Sequence, residues 1–256
     1  MTVRDLFKDQ LAGCGGNSIP VEHVQRVLGL VPVPYIEILS SRCWLAGGRV
    51  LRWLTEAGGD GGTPPRAGDY DLFFPSLEAL NDTAGVLLSK GFTLTAYQSF
   101  PRTIRELNEG GFRHEEKKSL LLDDAGRLRR ITPDLCREMR LSLVELRSPG
   151  EEIFQLICTI FPDPYSTIMG FDFTICQLAI DDRRLTFGPR TPEDLVDRRI
   201  KVHRPIWPGS LLKRLRKFQA RGFRAPAGTT LYIYTVTYLC KAYARTRLTG
   251  EMLFSK

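Results

Sequence analysis

The first half of the chain interleaves short apolar runs with helix-like patterns. Cys43 to Ala46 is an apolar run that ends in two glycines, and the apolar residues after it keep helical spacing. This order predicts a strand, a glycine turn and a helix. A polar–apolar strand follows near residue 70, then a helix that begins after Ser76 and ends before Gly91. Alternation from Phe92 to Tyr97 predicts the next strand.

The second half changes from strand-like to helix-like patterns after Pro192. Strands are predicted at Ser119 to Asp123, Leu141 to Leu146, Ile153 to Ile160, Phe171 to Ile180 and Leu185 to Phe187. Helices are predicted at Glu193 to Arg199, Ser210 to Arg221 and Leu231 to Arg247. We therefore predict an α+β fold, with a mixed β-sheet head and flanking helices over residues 1–190. A small basic helical region is expected over residues 191–256.

Composition indicates an ordinary globular protein. The chain has 256 residues, of which 43% are hydrophobic and 25% charged, and no apolar segment has the length of a membrane span. Its start has charges of both signs and no apolar core of the kind that a signal peptide needs. The six cysteines form no C-x-x-C pair. We expect a cytoplasmic protein without a membrane association, and the sequence does not indicate its oligomeric state.

Positive charge is concentrated in one segment. The formal net charge is +7, and residues 183–224 contain 13 Lys and Arg against 3 Asp and Glu, whereas the rest of the chain is slightly acidic. Such segregation favours a polyanionic partner, and RNA is the partner expected for this segment. A basic surface that only keeps the protein soluble is the alternative.

Three short segments together indicate a site for nucleotidyl transfer. They are the glycine turn Gly47-Gly48, the D-x-D strand with Asp69 and Asp71, and the aspartate Asp172. Alternate side chains of a strand share a face, so Asp69 and Asp71 are expected to point the same way. Three carboxylates on adjacent strands can hold two Mg²⁺ (or Mn²⁺) ions in phosphoryl transfer. Each segment alone is weak, because glycine pairs are usually turns and lone buried aspartates are usually structural.

The glycine turn is expected to receive the phosphates of a nucleotide. Gly47 and Gly48 let the backbone approach them, and the helix that follows points its free N–H groups in the same direction. Arg49 and Arg52 add positive charge there. An unusual glycine- and proline-rich loop, residues 58–68, separates this turn from the D-x-D strand.

These segments resemble the nucleotidyltransferases of the polymerase-beta superfamily, most closely the head and neck of tRNA nucleotidyltransferases and bacterial poly(A) polymerases. Leu45-Ala46-Gly47-Gly48-Arg49-Val50 is similar to their G-G-x-V turn, Asp69-Tyr70-Asp71-Leu72 to their D-x-D, and Asp172-Phe173-Thr174-Ile175 to their D-F-T-I strand. Pro192-Glu193-Asp194-Leu195 and the helix from Leu211 to Phe218 resemble later motifs of the family. The resemblance implies that Lys213 and Arg216 contact the incoming nucleotide.

The sequence thus predicts a metal-dependent nucleotidyltransferase that uses an NTP and releases pyrophosphate. Asp69, Asp71 and Asp172 are the expected catalytic metal ligands, and the expected acceptor is an RNA 3′ end. A protein or small-molecule acceptor stays open. Two other classes of function also stay open: a non-catalytic nucleotidyltransferase-like module that binds nucleic acid or a partner, and a plain α+β interaction domain.

Overall fold

A mixed β-sheet organises the part of the chain that the computed structural model describes, namely residues 2–29, 36–40, 42–56, 69–100, 112–115, 117–205 and 208–253. Its strands are β1 (Ser18–Pro20), β2 (Trp44–Ala46), β3 (Tyr70–Phe73), β4 (Thr93–Ser99), β5 (Phe112–His114), β6 (Leu141–Arg147), β7 (Ile153–Ile157), β8 (Leu178–Ile180) and β9 (Arg184–Phe187). Their order across the sheet is β1-β9-β8-β2-β3-β7-β6-β4-β5. Strands β3 and β7 are parallel, and the other neighbours in this order are antiparallel. The predicted α+β fold with a mixed sheet is confirmed.

Helices flank this sheet and follow it. Within the described residues, the α-helices are α1 (Val3–Leu6), α2 (Lys8–Leu11), α3 (Val21–Leu28), α4 (Gly48–Glu56), α5 (Leu77–Ser89), α6 (Pro133–Met139), α7 (Pro164–Ile168), α8 (Thr191–Val196), α9 (Pro208–Gln219) and α10 (Ala227–Leu253). None of the helices in these ranges combines the length and the hydropathy that crossing a membrane requires.

Local sequence signals set both ends of α5, the helix predicted between Ser76 and Gly91. The Ser76 side chain accepts a hydrogen bond from the Ala79 amide and caps the first turn of α5. At the other end, Gly91 has a φ of 86°, a left-handed conformation that glycine adopts without strain and that ends the helix. Strand β4 begins two residues later, so both predicted elements are confirmed.

The two faces of β3 have different partners. Tyr70 and Leu72 are buried in the main hydrophobic core, and the Tyr70 ring stacks on Phe154 of β7 with centroids 4.4 Å apart. On the opposite face, Phe73 belongs to a small apolar cluster that includes Trp44. Asp71 shares this second face because it is two residues from Phe73. The predicted alternation is therefore confirmed from Tyr70 to Phe73.

Two predicted strands are wrong. Ser119 to Asp123 is not a strand, since Lys118–Leu121 forms a 3-10 helix. Within Phe171 to Ile180 only the last three residues form a strand, β8, and Thr174–Cys176 is a 3-10 turn. The Thr174 hydroxyl donates to Asp194, and its carbonyl accepts from Thr191, so side-chain bonds replace a strand ladder there. The segment is apolar because it is buried, and not because it is extended.

The helices of the second half follow the predicted order, with shifted ends. Helix α9 packs its apolar side inward through Leu211, Leu215 and Phe218. The glycine- and proline-rich loop predicted over residues 58–68 lies outside the described residues. The division of the chain at residue 190 into a head and a helical region stays a prediction.

Candidate nucleotide-binding site

The glycine turn connects β2 to α4 and opens a cleft at the start of that helix. Gly47 has a φ of 79°, and its N–H donates to the carbonyl of Leu178, 2.8 Å away. A Cβ on Gly47 would lie 3.4 Å from the Phe171 ring, whereas a Cβ on Gly48 would meet nothing within 4 Å. Gly48 is the first residue of α4, whose leading N–H groups have no partners inside the helix. The turn therefore exposes backbone donors at the cleft.

Both aspartates of the D-x-D segment line this cleft together with Gly48. Asp69 is exposed just before β3, and Asp71 is partly buried within it. Burial and, to a smaller extent, the charge of Asp69 raise the pKa of Asp71 to about 7, while the charge of Lys217 partly offsets them. The two carboxylates thus repel each other, and a cation placed between them would relieve that repulsion.

Two arginines of α4 bring positive charge to the same cleft. Arg49 and Arg52 both line it. Arg49 is only 7% exposed, its guanidinium carbon lies 4.2 Å from the centroid of the Tyr70 ring, and it donates a hydrogen bond to the Tyr70 hydroxyl. Stacking and hydrogen bonding both fix its position. The structure places the two predicted arginines beside the predicted aspartates.

The cleft is lined by Lys217 of helix α9 and by Arg221, two residues beyond the end of that helix, which are not the residues expected. Lys213 and Arg216 are exposed and are not among its lining residues. At 100° per residue, Arg216 and Lys217 both lie roughly 130° from the buried stripe that begins at Leu211, but on opposite sides of it. The sequence does not show which of these two sides faces the cleft.

Asp172 lies away from the other two predicted ligands. It is 3% exposed, forms an ion pair with Arg214, and does not line the cleft. Its carbonyl accepts a hydrogen bond from the His203 amide at 2.6 Å. Among the described residues, no three His, Cys, Asp or Glu side chains come close enough together to hold a metal ion. The structure therefore brings Asp69 and Asp71 together without Asp172.

Replacing Asp172 with alanine is expected to lower the free energy of unfolding by about 3 kcal/mol, because one charge of a buried pair loses its partner. This is the low end of the usual range, since the Arg214 side chain is 33% exposed. Chemical denaturation measures the change. Asp197→Ala is the matched control. Asp197 pairs with Arg199 at a more exposed site, with 43% of its side chain accessible. This substitution should therefore lower the free energy of unfolding by less than about 1 kcal/mol. Equal losses in the two variants would contradict the structural role of Asp172.

The D-F-T-I segment and the Pro192-Glu193-Asp194-Leu195 segment meet in a buried polar network. Asp194 is fully buried, accepts a hydrogen bond from the Thr174 hydroxyl at 2.7 Å and lies 3.2 Å from the Lys201 ammonium. The Thr191 hydroxyl donates to the Thr174 carbonyl at 2.8 Å. The network thus joins the 3-10 turn after Asp172 to α8, and its residues stabilise the fold rather than line the cleft.

Solved structures with a similar fold are tRNA-processing nucleotidyltransferases. A CCA-adding enzyme in complex with CTP matches 88% of this chain and 47% of its own, with 14% identity and a TM-score of 0.50. A Thermotoga maritima CCA-adding enzyme in complex with tRNA matches 87% of this chain and 46% of its own, with 15% identity and a TM-score of 0.49. A tRNA nucleotidyltransferase with a primer tRNA and an ATP analogue matches 86% of this chain and 50% of its own, with 17% identity and a TM-score of 0.47.

At 14% identity, the match to the CTP complex, with its TM-score of 0.50, shows a nucleotidyltransferase-like fold alone. The chain spans about half the length of the solved proteins. The predicted resemblance is confirmed at that level. A search of curated protein sequences finds no significant match. The model of one family, described as "Gabija anti-defense 2 family protein", matches residues 22–198. Since this match covers well over half of the chain, the protein belongs to the Gabija anti-defense 2 family.

Proposed function

We propose that this protein transfers a nucleotidyl group from an NTP to an acceptor hydroxyl and releases pyrophosphate. One observation carries the proposal: Asp69 and Asp71 share a single cleft with Gly48 and with cations from two helices. Carboxylates beside a phosphate-binding turn are the arrangement that nucleotidyl transfer needs, because the triphosphate must be held next to a metal ion.

The triphosphate is bound by the positive side of the cleft. The N-terminus of α4 offers backbone N–H groups at Gly48, and a helix N-terminus favours an anion. Arg49 and Arg52 extend that surface from α4, and Lys217 and Arg221 close it from the side of α9. Charge-assisted hydrogen bonds of this kind fix both the position and the orientation of a phosphate chain.

The two carboxylates fit a divalent cation that arrives with the nucleotide. Mg²⁺ prefers oxygen ligands and is commonly held by one or two carboxylates together with substrate phosphates. Asp69 and Asp71 would hold Mg²⁺ (or Mn²⁺), which supplies charge neutralisation at the phosphates when bound. The raised pKa of Asp71 supports this assignment, because the repulsion from Asp69 that helps to raise it is what a cation offsets.

The acceptor that the surface favours is an RNA 3′ end. Within residues 183–224, most basic side chains are exposed, including those of Arg183, Arg204, Lys213 and Arg216. Exposed cations on one segment bind a phosphate backbone without regard to its sequence. In this proposal Lys213 and Arg216 contact the acceptor, whereas Lys217 and Arg221 contact the nucleotide. The family description suggests that the transfer counteracts the Gabija defence.

Transfer of label tests this function. The protein is incubated with each labelled NTP, Mg²⁺ or Mn²⁺ and total RNA, and in parallel with protein extract from cells that carry the Gabija defence. We expect label on RNA, and a loss of at least about 1,000-fold in the Asp69→Ala/Asp71→Ala variant, since interactions at the reacting phosphate dominate such rates. Asp124→Ala/Asp134→Ala, which removes two exposed carboxylates, is the matched control. Label on protein instead of RNA would contradict RNA as the acceptor but would be consistent with nucleotidyl transfer.

A second candidate is a non-catalytic module that counteracts the defence by binding. The observation that favours it is the pairing of Asp172 with Arg214, which leaves the cleft with two carboxylates in the described part of the chain. The two candidates differ in cells that carry the defence. Inhibition of the defence by the Asp69→Ala/Asp71→Ala variant, at the level of the wild type, would favour the binding module and contradict the enzyme.

A further inference from the structure

The position beside Asp71 on the neighbouring strand is occupied by a neutral amide. In the parallel pair of β3 and β7, Asp71 lies opposite Gln155, and the preceding pair is Tyr70 and Phe154. The rings of that preceding pair stack almost parallel, at 3°, so the register is also visible in the side chains. Gln155 therefore lies on the Asp71 face of the sheet, roughly 5 Å away across the ladder.

The next carboxylate along this row is already engaged. Glu145 of β6 lies opposite Gln155, one strand further from Asp71. It is 3% exposed, and its carboxylate accepts a hydrogen bond from the Thr95 hydroxyl at 2.8 Å. Two strand spacings place its Cα roughly 10 Å from that of Asp71. Asp172, the third carboxylate expected from the sequence, pairs with Arg214 instead.

The charge of the cleft also disfavours a second cation. Among the described residues, its lining has four cationic side chains, Arg49, Arg52, Lys217 and Arg221, against the two carboxylates Asp69 and Asp71. A triphosphate with one divalent ion brings net negative charge, which balances this excess. A second divalent ion would restore the positive excess. A carboxylate at the strand position beside Asp71 would lower the energy of that ion, but Gln155 holds this position with a neutral side chain.

We propose that the cleft binds a single divalent cation, held by Asp69 and Asp71 together with the phosphates of the NTP, and that Gln155 is the residue that prevents a second ion from binding. The inference rests on the proposed function and narrows it to a site with one ion. In such a site the positive charges of Lys217 and Arg221 take over the neutralisation that a second ion would provide.

Counting bound Mn²⁺ tests the proposal without measuring turnover. Mn²⁺ is titrated into the full chain with a saturating non-hydrolysable NTP analogue, and free Mn²⁺ is followed by electron paramagnetic resonance. After subtraction of the Mn²⁺ carried by unbound analogue, we expect one ion per protein–analogue complex in the wild type and two in the Gln155→Glu variant. Gln155→Asp is a second variant. Gln25→Glu, the same charge change on α3 outside the cleft, should keep one ion.

Each outcome decides the proposal. Two ions in the wild type would overturn it and leave the proposed function intact, and this count does not depend on the folding of any variant. One ion in the wild type and still one in folded Gln155→Glu would overturn the role of Gln155. Analogue binding with no Mn²⁺ on the protein would overturn the single-ion site. No binding of the analogue at all would overturn the proposed function, and the inference with it.

Discussion

Replacing Asp71 with asparagine is expected to stabilise the protein at pH 8 and, at the same time, to abolish nucleotidyl transfer. Burial and the charge of Asp69 raise the pKa of Asp71 from 3.8 to about 7. Between these two values the folded protein holds a proton that the unfolded chain has released, so the free energy of unfolding falls as the pH rises. Above pH 7 the full cost of the buried charge is present, and asparagine removes it.

The size of this gain in the free energy of unfolding follows from the raised pKa of Asp71. A rise of about three in pKa corresponds to roughly 4 kcal/mol, and screening by solvent at this partly exposed side chain reduces the expected gain to about 1–2 kcal/mol. The melting temperature should then rise by roughly 2–8 °C. Thermal unfolding at pH 8 and pH 4 without metal measures it, and the gain should vanish at pH 4. Mg²⁺ with an NTP should raise the melting temperature of the wild type but not that of the variant.

An aspartate with the opposite shift provides the control. Hydrogen bonds from the Arg127 and Ala125 amides and from the Arg127 side chain lower the pKa of Asp123, which lies in an exposed turn. A carboxylate of this kind stabilises the folded state once the pH exceeds its unfolded pKa. Asp123→Asn should therefore lower the melting temperature at pH 8 and leave transfer unchanged. A loss of stability in Asp71→Asn at pH 8 would contradict the electrostatics described for the cleft.

Removing Lys217 and Arg221 together is expected to raise the KM for the NTP by roughly 10- to 100-fold, since each contributes charge-assisted hydrogen bonds to phosphate. Both side chains line the cleft. The pKa of Asp71 should also rise, because Lys217 is the cation that lowers it. The pH profile of transfer would then shift towards higher pH. Steady-state kinetics over a range of pH measures both effects.

The matched comparison is the exposed pair Lys213 and Arg216 on α9. Lys213→Ala/Arg216→Ala removes equal charge from α9 at positions that do not line the cleft. We expect little change in the KM for the NTP and a weaker, less salt-dependent affinity for RNA. A larger effect of this pair on the NTP would support the residues that the family resemblance implies, and would contradict the placement of α9 in the structure.

Most of the fold was predictable because its strands and helices carry strong local signals. The Ser76 cap, the Gly91 stop and the alternation of Asp69, Tyr70, Asp71 and Leu72 all operate over a few residues. Local sequence also positioned the glycine turn before α4. These elements surround the cleft, so local sequence patterns were enough to predict that its two carboxylates and two arginines lie near one another.

The remaining site residues depend on packing between distant segments. Asp172 lies in an apolar run that resembles a strand, yet its partner Arg214 follows 42 positions later in the chain. Residues Lys217 and Arg221 were missed because the family motif guided the choice, and because only the packing of α9 decides which side of its buried stripe faces the cleft. Gln155 carries no sequence signal of its own, and only the register of β3 with β7 places it beside Asp71.

Paired labelling of one nucleotide tests the central claim most directly. The wild-type protein is given an NTP labelled either at the α-phosphate or at the γ-phosphate, with Mg²⁺ and RNA, beside the Asp69→Ala/Asp71→Ala variant. We predict that the α-label becomes attached to the RNA, that the γ-label appears only in pyrophosphate, and that the variant does neither. Attachment of the γ-label to any acceptor, or equal attachment of the α-label by the variant, would contradict nucleotidyl transfer at this cleft.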